Sequence, residues 1–259
     1  MSINRRDFLK IAGVSAFMSL GGVSVIQQLW DTNVEAAQIS PDPRTLTGKR
    51  WGIAIDMSKF KTESDYKALS DACHSIHNVP VINNPNHEIK WIWPETFEHA
   101  FPGQEDEYLT DSVKHLPFPL LCNHCENPPC VRVCPTQATF KRSDGIVMMD
   151  MHRCIGCRFC MAACPFGARS FNFIDPRPYI KEQNKEFPTR TKGVVEKCTL
   201  CYERLAKGNI PACVEASKGA MVFGDLADPN SDIRKVLGTR YSIRRKAELG
   251  TKPSIYYLI

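Results

Sequence analysis

Cys122-x2-Cys125-x4-Cys130-x3-Cys134-Pro135 is followed by Cys154-x2-Cys157-x2-Cys160-x3-Cys164-Pro165, so the same punctuation returns after 30 to 32 residues. This internal repeat organises the centre of the chain. Between the two runs, Ala138–Phe140, the turn Ser143-Asp144-Gly145 and Ile146–Asp150 predict a β-hairpin. Each unit then reads as a cysteine loop, a helical turn and a strand or two. One such unit cannot shield a cofactor; two related by pseudo-symmetry can.

The spacing suggests what the thiols grip. A [4Fe–4S] cubane offers four iron corners, and a tight C-x2-C-x2-C loop wraps three of them while backbone N–H groups point at the sulfides. The fourth corner faces away and is closed by the Cys-Pro of the other run, as in two-cluster ferredoxins. Proline turns the chain away and leaves no N–H unpaired beside the cluster. On that logic Cys122, Cys125 and Cys130 join Cys164 on one cluster, and Cys154, Cys157 and Cys160 join Cys134 on a second. Structural zinc is a rival, but it needs only two C-x2-C pairs per site and leaves the later thiols surplus. Disulfides are the other rival. No C-x-x-C-H occurs, since Cys122-Asn123-His124-Cys125 is followed by Glu126, which excludes a c-type haem attached to this chain.

Outward from this centre, composition sets the bounds. The chain has 259 residues, 43% hydrophobic and 24% charged, with 12 cysteines. That excludes wholesale disorder, and a single short apolar stretch, Ile11 to Ile26, excludes a polytopic membrane protein. The net charge of +5 does not point to nucleic acid. Three oxidised four-thiolate clusters, each adding about −2, would bring the protein close to neutral.

The N-terminus Asn4-Arg5-Arg6-Asp7-Phe8-Leu9-Lys10, with Ile11–Ile26 and then Val34-Glu35-Ala36, reads as a twin-arginine export signal, departing only at Asn4. That route carries folded proteins, so metal clusters can be inserted before export. The predicted organisation is a signal at 1–36, a strand, helix and Trp/Pro-rich insertion at 37–119, a two-cluster core at 120–175, and a third cysteine segment with C-terminal extension at 176–259. Trp51–Asp56 predicts a strand, Glu63–Ser75 a helix ending near Asn78-Val79-Pro80, Ile89–Trp93 a strand, and Asn230-Ser231-Asp232 the cap of a short helix ending at Gly238. The insertion packs on a partner or on the core.

Four cysteines remain: Cys73, Cys198, Cys201 and Cys213. Their spacing alone admits several readings. The run from Glu196 to Pro229, with Glu196-Lys197-Cys198-Thr199-Leu200-Cys201 at its head, resembles the electron-transfer subunits of dimethyl-sulfoxide, polysulfide, formate and hydrogenase-associated complexes. The resemblance covers Trp51 to Tyr257 and implies sixteen cysteines in four groups, the first and fourth exchanging their last ligands. Here the first group keeps only Cys73, and Ser217 stands where the fourth group's last cysteine is expected. Under the exchange rule those losses delete one whole site. They leave Cys198, Cys201, Cys213 and Cys73 as the third complete set. A disulfide through Cys73, or a three-iron site on Cys198, Cys201 and Cys213, are the alternatives, and His74 and His77 are either substitute ligands or hydrogen-bonding neighbours.

Cys73-His74-Ser75-Ile76-His77-Asn78-Val79-Pro80 and Glu88-Ile89-Lys90-Trp91-Ile92-Trp93, with the twin-arginine start, narrow the resemblance to the DsrO family. Those are exported ferredoxin-like subunits of the sulfite-reduction-associated DsrMKJOP complexes. The resemblance implies a periplasmic, membrane-associated subunit with three [4Fe–4S] clusters. Its implied partners are an integral-membrane quinone-interacting NrfD-type subunit (DsrP-like), a periplasmic multihaem cytochrome c (DsrJ-like) and the other Dsr subunits, without nucleic acid. A hydrogenase-, sulfoxide- or polysulfide-linked subunit, or a free-standing periplasmic ferredoxin, is the alternative. The expected fold is α+β, a bacterial-ferredoxin-like duplicated βαβ core with loop-rich insertions and a C-terminal cluster segment. No G-x-G-x-x-G, P-loop or H-E-x-x-H occurs, so a substrate site is not expected. Lys197 and Arg204 are charges near the clusters, Lys197 equally a solvated residue. The run Arg240, Arg244, Arg245 and Lys246 reads as a solvated face.

Overall fold

The computed structural model describes residues 42–104 and 107–259. The export signal expected at 1–36 lies outside the described residues. In chain order the strands are β1 (Trp51–Asp56), β2 (Ile92–Thr96), β3 (Pro117–Leu121), β4 (Thr139–Lys141), β5 (Val147–Met149), β6 (Ser170–Phe171), β7 (Val195–Glu196), β8 (Met221–Asp225), β9 (Ser242–Ile243) and β10 (Ile255–Leu258). The helices that matter for the cysteines and the sheet are α1 (Glu63–His77), α2 (Pro129–Arg132), α3 (Phe159–Ala162), α4 (Ala212–Ala216) and α5 (Asp232–Thr239).

Every residue of β1 is buried, as an unbroken apolar run suited to a strand covered on both faces requires. It sits inside a four-stranded sheet ordered β8-β1-β10-β9, antiparallel to β8 and parallel to β10. Ala54 faces α5, where Ile233, Leu226 and Leu258 cover it. Ile53 and Ile55 face the main core with Leu69 of α1, Phe118 and Tyr257. Residues from both ends of the described chain thus close one sheet around the cysteine-rich centre.

α1 begins where the Thr62 N–H donates to the Asp65 carboxylate at 2.9 Å, the reciprocal half of a capping box. It runs two residues beyond the predicted end and stops at Asn78, whose φ of 54° is left-handed. Tyr66, Leu69, Cys73 and His77 form its buried stripe at three- and four-residue spacing, so the helix delivers a thiol and an imidazole into the core.

The two cysteine units lie between β3 and β4 and between β5 and β6, with α2 and α3 as their helical turns. The predicted hairpin is β4–β5, paired from Thr139↔Met149 to Lys141↔Val147. β3 pairs with β2 and β6 with β7, so the outer strands find partners outside the repeat. Pairing of β2 starts at Ile92 rather than Ile89, because the Lys90 N–H donates to Ser170 Oγ at 2.8 Å instead of to a strand. The insertion packs on the core. Trp91, Phe101 and Phe118 are buried, and Phe101 meets Phe118 and Tyr257 edge-on at 5.1 and 5.4 Å, contacts worth roughly 0.5–1.5 kcal/mol each beyond area. Among the described residues no helix is long and apolar enough to cross a membrane.

Candidate metal centres

Three loops repeat one backbone device. In Cys122–Cys125, Cys154–Cys157 and Cys198–Cys201 the residue before the second cysteine has positive φ: His124 (40°), Gly156 (71°) and Leu200 (55°). The kink turns successive N–H groups and thiols toward one point, the nest geometry that binds anionic groups. After each Cys-Pro, Gln137 and Gly167 take positive φ and their N–H groups donate to Cys134 O and Cys164 O. The sequence repeat is therefore a repeat of backbone conformation.

The structure brings the cysteines together in three quartets. Cys122, Cys125, Cys130 and Cys164 line one cavity, walled by Pro128, Pro129 and Phe166. Cys134, Cys154, Cys157 and Cys160 line a second with Ala138, Met149 and Val195. Each cavity takes its Cys-Pro thiol from the other repeat. Cys73 lies among Cys198, Cys201 and Cys213 where α1 packs on α4; burial first, then those thiolates, pushes its thiol far up. Burial also raises Cys125 and Cys198 to about 12 and Cys213 to about 11. Such thiols ionise when a metal cation compensates the charge. Cys122 goes the other way: Lys197, His124 and Arg169 outweigh its burial and hold it well below the ordinary thiol range.

The donor set fits iron–sulfur clusters better than its rivals. All twelve cysteines are free, with no disulfide. Among the described residues the group of three metal-capable donors within 4.8 Å of one another is His77, Cys201 and Glu203 and not a set of cysteine sulfurs, whereas sulfurs bound at ~2.3 Å around one tetrahedral zinc stand about 3.8 Å apart. The Thr139, Leu200 and Ala212 N–H groups donate to Cys134, Cys198 and Cys201 Sγ, each at 3.4 Å. Around the first cavity both side-chain polar atoms of Asn123 are unpartnered, and His124 Nε2 and Arg169 Nη2 have no oxygen acceptor, their side chains facing the sulfurs of Cys122, Cys130 and Cys160. Buried donors are normally satisfied, and cluster sulfides would be their acceptors.

The first quartet adjoins both others. Lys197 bridges Val147 O, on the wall of the first cavity, and Cys198 O of the third set, and Arg169, on the same wall, donates to Thr139, whose N–H donates to Cys134 Sγ of the second. In that sense the first quartet is the middle one. Around the third, His77 is buried, with Nδ1 2.8 Å from Cys73 O and 3.7 Å from Cys73 Sγ, and Nε2 2.7 Å from Glu203. His74 is pushed down to about 4 by burial. Ser217 donates to Val214 O at 2.6 Å and accepts from the Met221 N–H at 2.9 Å, closing a turn rather than facing a metal.

Several charges lie deeper than the sequence suggested. Lys197 is 0% exposed, and its ammonium donates to Val147 O and to Cys198 O. Arg204 pairs with Glu215. The run from Arg240 is not a solvated face. Arg240 pairs with Asp56, Arg245 is buried and donates to Ala100 O at 2.9 Å, and Lys246 donates to Pro165 O at 2.8 Å. The last two clamp the Cys164-Pro165 element from outside the repeat. Arg169 was missed; its only signal in the sequence is a cation placed just after Cys164-Pro165.

The description that matches residues 113–226 is a 4Fe-4S dicluster domain. The chain is 41% identical over 276 residues to the Hdr-like menaquinol oxidoreductase iron-sulfur subunit 1 of Archaeoglobus fulgidus, covering 98% of this chain and 97% of that one. It belongs to the family of 4Fe-4S electron-transfer subunits of oxidoreductase complexes. Other members are the menaquinone reductase iron-sulfur cluster-binding subunit of Nitratidesulfovibrio vulgaris, 32% identical over 81% of this chain and 88% of that one, and protein NrfC of Escherichia coli, 33% identical over 99% and 95%. As in this family, the chain carries electrons for a complex and is not its catalytic subunit.

Proposed function

We propose that this subunit relays single electrons through three [4Fe–4S] clusters. One is held by Cys122, Cys125, Cys130 and Cys164, a second by Cys134, Cys154, Cys157 and Cys160, and a third by Cys73, Cys198, Cys201 and Cys213. The observation that carries the reading is that three quartets use all twelve thiols and leave none over. Such clusters supply one-electron chemistry with little bond rearrangement. The chain's own part is to wrap them, exclude water with Pro128, Pro129 and Phe166, and aim N–H groups and cations at sulfur. Exchange of the Cys-Pro ligands holds two sites close on one rigid core, as tunnelling requires.

The complex we assign is a membrane-bound respiratory assembly of sulfite or sulfur metabolism, of the DsrMKJOP type, with this subunit a DsrO-like protein on the outer face. Support comes from the Arg5-Arg6 export motif, the Cys73-to-Pro80 stretch, and relatives named for menaquinol oxidation and menaquinone reduction. Its neighbours would be an NrfD-type quinone-interacting membrane subunit and a periplasmic multihaem cytochrome c. Iron and acid-labile sulfide on anaerobically purified protein test the cluster count: about twelve of each per chain is expected, and about eight removes the third site. A Cys73→Ser variant should lose or convert one cluster only; unchanged iron and EPR would sink that ligand assignment. Purification of the intact complex from membranes tests the rest, with a sulfoxide, polysulfide or hydrogenase subunit in place of the cytochrome overturning the Dsr assignment.

A further inference from the structure

Two cations are buried in the gaps between the cysteine quartets without a carboxylate partner, and we propose that Lys197 and Arg169 make the middle quartet the station where a transferred electron rests. The inference depends on the assignment of the three quartets as [4Fe–4S] ligands.

Lys197 stands between the middle and third quartets. It adjoins Cys198, its ammonium donates to the carbonyl of Val147, which lines the middle cavity, and its charge acts on both Cys122 and Cys198. Arg169 stands between the middle and second quartets. It is 5% exposed, lines the middle cavity, donates through Nη1 to Thr139 Oγ1 at 3.1 Å, and interacts with Cys130 and Cys160. Its Nη2 has no oxygen acceptor, and the guanidinium faces the sulfurs of Cys130 and Cys160.

Arg190 is the contrast. It is equally buried, but Glu196 neutralises it at 2.7 Å. Among the described residues no carboxylate comes within 4.0 Å of Lys197 or Arg169. An uncompensated ion in a dry interior is costly, and a thiolate-ligated cluster is the counter-charge within reach. Reduction adds one negative charge to a site, and a fixed cation beside it favours that form. Burial keeps the effect from being screened by salt. Each cation serves two sites, and only the middle quartet is served by both. No proton moves and neither cation changes state; the electron that enters at one end leaves at the other. Lys197 and Arg169 are positioning residues for charge, not catalytic ones.

EPR-monitored redox titration of the anaerobically purified full chain tests this, with signals assigned to the end sites by Cys157→Ser and Cys73→Ser. In the unaltered protein the middle site should be reduced first. Lys197→Gln should make the middle and third sites at least tenfold harder to reduce at a given potential, 59 mV for a one-electron couple, and leave the second unmoved. Arg169→Gln should shift the middle and second sites and leave the third. Lys197→Arg and Arg169→Lys should stay within threefold of the unaltered protein. Equal shifts at all sites, or none with iron retained, would overturn the proposal. So would loss of iron in both glutamine variants, which would make the cations assembly counter-ions only. Unaltered protein with fewer than about twelve iron strikes the ligand assignment instead.

Discussion

The two halves of the cysteine repeat share spacing, ligand exchange and backbone kinks, yet they meet opposite surroundings. In the first loop Asn123 and His124 are 2% and 1% exposed. In the second, Ile155 and Phe159 are 67% and 60% exposed. The difference comes from what covers each loop. Ser254 from the strand-leading C-terminal segment donates to Asn123 O and, through Oγ, to His124 O, and the Glu126 and Asn127 N–H groups donate to Lys252 O and Thr251 O. Among the described residues no such strap crosses Ile155–Phe159, where Arg158 instead lies against Phe171 and Phe173. Equal motifs thus become one enclosed site and one with an exposed face.

The largest effect should come from the enclosed loop. Cys125→Ser is expected to remove about four iron and stop electron passage between the two end sites, whereas Cys157→Ser should remove as much iron but leave the other two sites exchanging electrons. Iron analysis with rapid-freeze EPR separates the outcomes, and equal loss of transfer in both variants would break the distinction. Next in size, Arg190→Leu strands the buried Glu196 carboxylate and should cost about 3–5 kcal/mol, read as earlier loss of cluster absorbance in guanidinium. Glu196 also accepts from Trp91 Nε1 at 2.9 Å and Asn172 at 2.6 Å, so this pair ties the insertion to the third quartet.

His124→Ala removes the acceptor of the Val147 N–H at 3.1 Å inside the enclosed loop, at a cost of about 1–3 kcal/mol in the same measurement. A control whose side chain touches no cysteine is Asp56. Arg240, against the effect of burial, and then Ser58 hold its carboxyl below the usual range. Because the folded form has the lower pKa, its contribution is complete above about pH 4 and is lost as pH falls through the folded value. Asp56→Asn should flatten that part of the thermal-midpoint profile without selecting one cluster. Smallest of all, Ile155→Ser with Phe159→Ser should leave iron unchanged and stability within about 0.5 kcal/mol, while slowing electron exchange with the purified complex.

Much of the site was legible because cluster ligation is local. Three thiols on a kinked loop followed by Cys-Pro depend on residues close in the chain, and the hairpin between the repeats rests on Ser143-Asp144-Gly145. α1 was readable through its cap and stripe, but the partners of its Cys73 came only through the family resemblance, since Cys198 is 125 residues away and no local pattern joins them. The charged run after Arg240 misled for a related reason. A cation's exposure depends on distant acceptors: Arg245 is buried by Ala100 O and Phe166, which no local pattern announces. The strand beginning at Ile89 was misplaced because Ser170 competes for the Lys90 N–H.

By itself the sequence determined how many thiols there are, how the central eight are spaced, and where Gly156, Pro135 and Pro165 turn the chain, because those follow from spacing and from Gly and Pro conformational limits. Only the tertiary structure decided which quartet lies in the middle, which loop reaches solvent, and where Lys197 and Arg169 come to rest. Those properties arise from long-range burial, in which segments far apart in the chain compete to cover the same surface and to satisfy the same buried charges.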